Sequence, residues 1–353
     1  MQVPMADIRT DIVRPSELDT ASIEAWHAMM QETACLQRAF FAPEFALACE
    51  RATNLARVVV FRKNHTPVAF FPFQYASRWH KLAGAGEQIG GHLSNHAGLI
   101  ASPGFSIEPQ LLMAAARLKA LFINSLHEGQ AAFGLTGQSS RIGHIMDLRA
   151  GGAQYFQELS NTRGHFLRDT RRRLRDAQQK FGALEFVFES APTLADIRDL
   201  IDAKRDQYAR TGAGDVFDNP VAASIVESIF QHSSVHCRPV ISVLWAGDQV
   251  LARHLGLMSH GVWSGWFPVY DPAIKDFSPG RLLLWHMINQ ASENGITFID
   301  RGEGNSRAKR DFSNGTQFFG KAYWCGGGVT ALPARAQFSL QWRLQANKQK
   351  SAA

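Results

Sequence analysis

Apolar residues recur at helical spacing in some stretches of this chain and in continuous β-branched runs in others, and the switches between the two mark its elements. A helix is expected around Ala21 to Gln31. Ala56-Arg-Val-Val-Val-Phe-Arg-Lys63 and Pro67-Val-Ala-Phe-Phe-Pro-Phe73 are expected strands, with Asn64-His65 as the turn of a hairpin. Pro72 lacks the N–H that a sheet ladder uses, which predicts an edge or a bulge for the second strand. Leu111, Leu112, Ala115, Leu118 and Phe122 follow helical spacing and predict a helix from Pro109 to Leu126, followed by a strand at Ala131 to Leu135.

The second half repeats the order strand, turn, strand, helix, strand. Pro239 to Trp245 and Gln249 to Leu257 form a hairpin around Ala246-Gly-Asp248, and Gly261 to Val269 is a third strand. A helix runs from Pro279 to about Glu293 and stops at Gly295, Ile296 to Asp300 completes a β-α-β unit, and Thr316 to Trp324 closes the sheet. A period of well over a hundred residues points to duplicated domains rather than a solenoid. The expected division is 1–150 and 151–353, with 151–182 as a basic connecting helix.

With 353 residues, two domains are the default, and an apolar share of 45% with 19% charged residues is ordinary for a globular protein. Asp7, Arg9 and Asp11 interrupt the start before a continuous apolar stretch forms, so no signal peptide is expected, and no apolar run reaches membrane-spanning length. Cys35, Cys49, Cys237 and Cys325 lie far apart without metal-type spacing, which predicts reduced thiols, no metal and a cytoplasmic setting. The net charge of +6 favours an anionic partner. Much of it is concentrated in Arg168, Arg171, Arg172, Arg173 and Arg175. These belong either to a solvated helix that turns Leu167 and Leu174 inward or to a face for phosphates.

Candidate chemistry gathers in Phe277-Ser-Pro-Gly-Arg-Leu-Leu-Leu284 and in Phe298-Ile-Asp-Arg-Gly-Glu-Gly304. Ser278 suits an N-cap and Pro279 the first helical position, while Gly280 leaves an amide open to close approach and Arg281 adds a positive charge. Such a helix start is a natural seat for phosphate. Asp300 stands at the end of a strand, where open α/β sheets hold their ligands, and Gly302 and Gly304 flank Glu303 in a loop shortly before Lys309. Asp300 or Glu303 as base or acceptor-orienting group, with Lys309 on an anionic part of the acceptor, competes with a structural salt bridge from Asp300 to Lys309 or Arg301. Arg253 and His254 are adjacent on one strand, so alternation predicts that one of them faces the cleft; His254 is the better base. Gly90-Gly-His-Leu-Ser-Asn-His96 is a polar loop whose Asn95 and His96 suit acceptor binding.

These motifs resemble the acetyltransferase-like family found near polysaccharide-biosynthesis genes, a GNAT branch with two GNAT-type domains in tandem, an architecture shared with Fem-type peptidyltransferases. The resemblance is best in Ser278 to Leu283 and in Phe298 to Gly304 with Lys309, and fair in Pro67 to Phe73 and Ile89 to His96. It implies an α/β (α+β) fold of two tandem domains, each a mixed, mostly antiparallel sheet flanked by helices, with two strands splayed around an acyl-CoA. It also implies transfer of an acyl group to an amino or hydroxyl group of a sugar-like or amino-acid-like acceptor. A backbone amide within Phe267 to Tyr270 is the expected oxyanion donor. Pro268 has none to offer, which leaves neighbours such as Val269, and Tyr270 is a candidate proton donor to the leaving thiolate. The ordinary GNAT motif has paired glycines before the helix, whereas this chain has only Ser278-Pro-Gly-Arg281. Aminoacyl-tRNA held by the basic helix is the alternative donor, and a non-catalytic polysaccharide-precursor binder is the alternative class.

Overall fold

The computed structural model describes residues 7–189 and 192–327. The readings placed on Met1 to Ala6 and on the end of the second domain after 327 lie outside the described residues. Two compact units emerge: one from Met1–Arg141, Gly212–Cys237 and Phe318–Ala353, the other from Ile142–Thr211 and Arg238–Gln317.

The first unit begins with β1 (Ile8–Val13), α1 (Thr20–Glu32) and α2 (Pro43–Thr53), followed by the hairpin β2 (Ala56–Lys63) and β3 (Thr66–Gln74). Then come α3 (Arg78–Ala83), β4 (Ala85–Gln88), β5 (Ile100–Ala101), α4 (Pro109–Ala115) and β6 (Ala120–His127). Asn64 and His65 both adopt positive φ, 48° and 70°, as a two-residue turn between right-twisted strands requires. Pro72 is not at an edge: β3 lies between β2 on one side and β4 and β5 on the other. Its missing N–H is tolerated because β5 pairs at Ala69 and Phe70 and β4 only from Phe73, so Pro72 falls between the two ladders. The expected long helix ends at Ala115, and Arg117 turns the chain with φ 53° into β6. Leu118 and Phe122 fit helical spacing, but Ala120 to Ile123 is also an unbroken apolar run, and pairing with β4 makes it a strand. Ala131 to Leu135 is not a strand; Glu128–Phe133 coils as a 3-10 turn. Trp26, Phe41, Phe61, Phe70 and Phe73 fill the core, and the Trp26 indole donates to the Phe41 carbonyl at 2.7 Å.

The second unit contains β7 (Ser139–Asp147), α5 (Gly152–Phe181), β8 (Leu184–Val187) and α6 (Leu194–Thr211). After α7 (Pro220–Gln231), which belongs to the first unit and packs on α2 there, follow β9 (Arg238–Ala246), β10 (Gln249–Ser259) and β11 (Val262–Tyr270) of the second. The unit closes with α8 (Pro279–Asn289), β12 (Phe298–Glu303) and α9 (Arg307–Asp311), and β13 (Gly315–Cys325) follows. Its strands run in the order β7-β12-β11-β10-β9-β8, antiparallel except between β11 and β12, while β13 pairs antiparallel with β6. Within each unit the strands are thus mixed and mostly antiparallel, with helices against them. α5 turns Leu167 and Ala177 into a core shared with Leu282, Met287, Ile288 and Ile299 of α8 and β12. Full burial of such a leucine or isoleucine contributes about 1.5–3 kcal/mol, which fixes α8 and β12 against each other.

Candidate active site

β11 and β12 pair only at Val262↔Phe298, Trp263↔Ile299 and Ser264↔Asp300. Beyond these residues β11 continues to Tyr270 and β12 to Glu303 without pairing with each other, so the sheet opens between two neighbouring parallel strands. A cavity of about 520 Å³ lies at this opening, within the usual range for small-molecule sites. Its lining includes His254, Pro268, Val269 and Tyr270 from the sheet, Ser278, Gly280 and Arg281 from the start of α8, and Arg253 and Arg301.

The start of α8 is open rather than plugged. Ser278 occupies the N-cap position but in a left-handed conformation, φ 55°, and its side chain caps nothing; its carbonyl accepts from the amides of Arg281 and Leu282 instead. Pro279 has no N–H, and a Cβ built on Gly280 would meet no atom within 4 Å. The first turn therefore offers its unpaired amide and the positive end of the helix to the cavity. Arg281 is held in place. Its Nη1 donates to Asp169 at 2.8 Å, and its guanidinium lies 4.6 Å from the centre of the Phe166 ring. Asp169 also accepts from Arg172 and Arg173, and these contacts hold its carboxyl well below the usual carboxylate range. Part of the arginine cluster of α5 is thus spent on fixing Arg281, while Arg168, Arg171 and Arg175 remain exposed.

Arg253 and His254 both line the cavity, against the expectation that strand alternation would turn one away. β10 is bulged on either side of the pair, between Val250 and Ala252 toward β9 and between Leu255 and Gly256 toward β11, while the ladder runs regularly through Arg253 and His254 themselves. His254 is buried, edge-on to Trp263 at 4.6 Å. Burial, reinforced by the charges of Arg301, Lys204 and Lys309, pushes its pKa well below the ordinary value, so the imidazole is neutral at pH 7.

Asp300, Glu303 and Lys309 are absent from the lining. Asp300 is 1% exposed and accepts from the Gly302 amide at 2.8 Å and from Gln317 Nε2 at 2.7 Å. Lys309 turns back to donate to the Glu303 carbonyl, and burial lowers its pKa to about 8. Asn95 and His96 belong to the first unit, where His96 is fully buried among Phe40, Phe41, His127 and Phe319.

Two groups at the opening were not read from the sequence as ligand-facing. Arg301 lines the cavity, and alternation along β12 gave the signal, since a buried Asp300 turns its neighbour to the opposite face. Lys204 of α6, buried, donates to the Pro268 carbonyl at 3.0 Å, and burial lowers its pKa to about 8. Nothing in the local sequence of α6 marks Lys204. Among the described residues no cluster of three or more His, Cys, Asp or Glu could hold a metal, and no helix is long and apolar enough to cross a membrane.

Residues 168–310, which span this site, match the family model described as an acetyltransferase (GNAT) domain. The fold resembles the crystal structure of FemX, with a TM-score of 0.58 at 11% identity over 90% of this chain and 97% of that one. A tandem GNAT protein from the clavulanic acid biosynthesis pathway aligns over 91% of this chain and 99% of its own, with a TM-score of 0.49 at 12% identity. The C-terminal domain of a putative lysylphosphatidylglycerol synthetase from Agrobacterium fabrum aligns over 90% and 96%, with a TM-score of 0.49 at 11% identity. No curated protein matches the chain. The GNAT-domain match is confined to residues 168–310, while the likeness to FemX extends to the fold of most of the chain.

Proposed function

We propose that the second unit is an acyltransferase that uses acyl-CoA as donor and an amino or hydroxyl group of a sugar-like or amino-acid-like acceptor, in a polysaccharide or cell-envelope pathway. The observation that carries the reading is the cavity at the β11–β12 opening, which joins the open first turn of α8 to a buried neutral histidine. The Gly280 amide and Arg281 suit the donor's diphosphate, and acyl-CoA supplies the activated thioester when bound. The gap beyond Ser264 has room for the pantetheine arm, and a backbone amide near Val269 is the candidate donor to the developing oxyanion. His254, neutral at pH 7, takes the proton from the acceptor, and Tyr270 returns one to the leaving thiolate. Asp300 orders the turn at Gly302 and so positions the end of β12, rather than acting as base. Glu303 and Lys309 brace that same turn. The division of the chain into tandem GNAT-like domains over 1–150 and 151–353 belongs to this proposal.

Titration with acetyl-CoA tests it, with Gly280→Glu as the control. The new side chain has open space, so folding is spared, while a carboxylate meets the diphosphate and weakens binding about tenfold or more. Equal affinity in the two proteins would remove the donor site. Aminoacyl-tRNA as donor is favoured by one observation, the exposed Arg168, Arg171 and Arg175 on α5. Binding of total tRNA that weakens steeply with salt and is lost when these arginines become glutamines would select it.

A further inference from the structure

Arg301 is an uncompensated charge in the cavity. Its Nη1 is buried and makes no hydrogen bond, and no carboxylate is paired with its guanidinium among the described residues. Burial lowers its pKa to about 10, so it remains charged at pH 7. Its titratable neighbour Tyr155 gives no charge in return. Burial pushes that phenol well above its ordinary range, and its hydroxyl is likewise buried without a hydrogen-bond partner. An unanswered buried cation is costly to keep, and natural proteins pair such groups. Arg301 also faces the cavity beside His254, whose pKa its charge helps to depress.

We propose that Arg301 anchors a carboxylate group of the acceptor. The inference rests on the cavity being the transfer site, and it names the acceptor class: an amine or alcohol that carries a carboxylate, such as an amino acid or an acidic sugar. A planar carboxylate matches the guanidinium fork and cancels its single charge. A phosphate monoester would bring a second negative charge next to His254, raise the imidazole's pKa and populate its protonated form, which cannot accept a proton. Lys309, the cation expected from sequence to hold the acceptor, is engaged with the Glu303 carbonyl.

The test is thermal unfolding of the wild type and of Arg301→Gln with sodium benzoate, benzamide and sodium phosphate at matched ionic strength, followed by acetyl-CoA titration of both proteins. The expected result is a rise of about 2 °C or more for the wild type with benzoate and none with benzamide or phosphate. Arg301→Gln should show no benzoate response and, without ligand, should unfold no lower than the wild type, because an unpaired buried charge has been removed. Benzoate stabilisation that survives in Arg301→Gln, a ligand-free variant that melts several degrees lower, or stabilisation by phosphate in place of benzoate each overturns the proposal, as does the absence of any response. Acetyl-CoA binding separates the two readings: if it persists while benzoate has no effect, only the carboxylate site fails, whereas its absence from the wild type removes the transfer site itself.

Discussion

Two segments rich in glycine and polar residues, Gly90 to His96 in the first unit and Ser278 to Arg281 in the second, look alike as candidate ligand loops, yet the fold treats them in opposite ways. In the first, polar groups are spent on the protein itself. Gln88 Nε2 donates to the carbonyls of Gly91 and Ser94 while its Oε1 accepts from the amides of Asn124 and Ser125; Gln74 accepts from the Gly90 amide, and Ser94 donates to the His96 carbonyl. In the second, Ser278 caps nothing, Gly280 faces open space, and Arg301, which lines the same cavity, has its Nη1 buried without a hydrogen-bond partner. Hydrogen bonds from Gln88, Gln74 and Ser94 tie the first segment to its own scaffold, whereas an unmet donor that lines a cavity marks where a ligand can complete the structure.

This contrast can be broken at either end. The largest effect is expected for His254→Gln, which should lower kcat by about 10²–10⁴ while acetyl-CoA affinity stays within a few-fold. An unchanged kcat would strip His254 of its role. The pH profile sharpens the point: with the imidazole's pKa depressed, activity should hold from pH 8 to 6 and fall only in more acidic solution. Stability should follow the same direction. As pH falls below about 6.5, the unfolded chain takes up a proton that folded His254 refuses, so the wild type loses stability there and His254→Gln loses less. A wild-type melting temperature that rises on acidification would contradict this.

In the first unit, Gln88→Leu leaves two amides and two carbonyls without their side-chain partner, and denaturant unfolding should report a loss of about 2 kcal/mol or more. The donor affinity of the second unit should be intact under folding conditions. Smaller again is Asp169→Ala, which frees Arg281: a few-fold weaker acetyl-CoA binding and a stability loss of about 1 kcal/mol are expected by calorimetry and denaturation. The stability part is present above the ordinary aspartate range, because Asp169's folded pKa is depressed, and it fades as acid protonates that carboxylate. Asn95→Ala should change neither binding nor turnover by more than about twofold; a large rise in acceptor KM would return the first loop to the site.

What the sequence reveals follows the range of the forces involved. Hairpins announced by β-branched runs and an Asn64-His65 turn, and a helix begun by Pro279, are local and were legible. The helix expected through Leu126 was not, because Leu118 and Phe122 satisfy two periods and only pairing with β4 decides between them. In the candidate site, the sequence pointed to His254, Val269, Tyr270, Gly280 and Arg281, which line one cavity because strand ends and helix starts gather at a sheet opening. Asp300 could not be placed on the opposite side from Arg301 by type alone: its burial depends on Gln317, a residue from a later part of the chain. Lys204 was hidden for the same reason, since its meaning comes from the Pro268 carbonyl, 64 residues on.

Amide hydrogen exchange of the protein with and without acetyl-CoA tests the central claim most directly. The account predicts new protection at Gly280 to Leu284 and at Phe267 to Tyr270, with none in Gly90 to His96. Protection confined to the first unit's loop, with the start of α8 exchanging at its ligand-free rate, would contradict it.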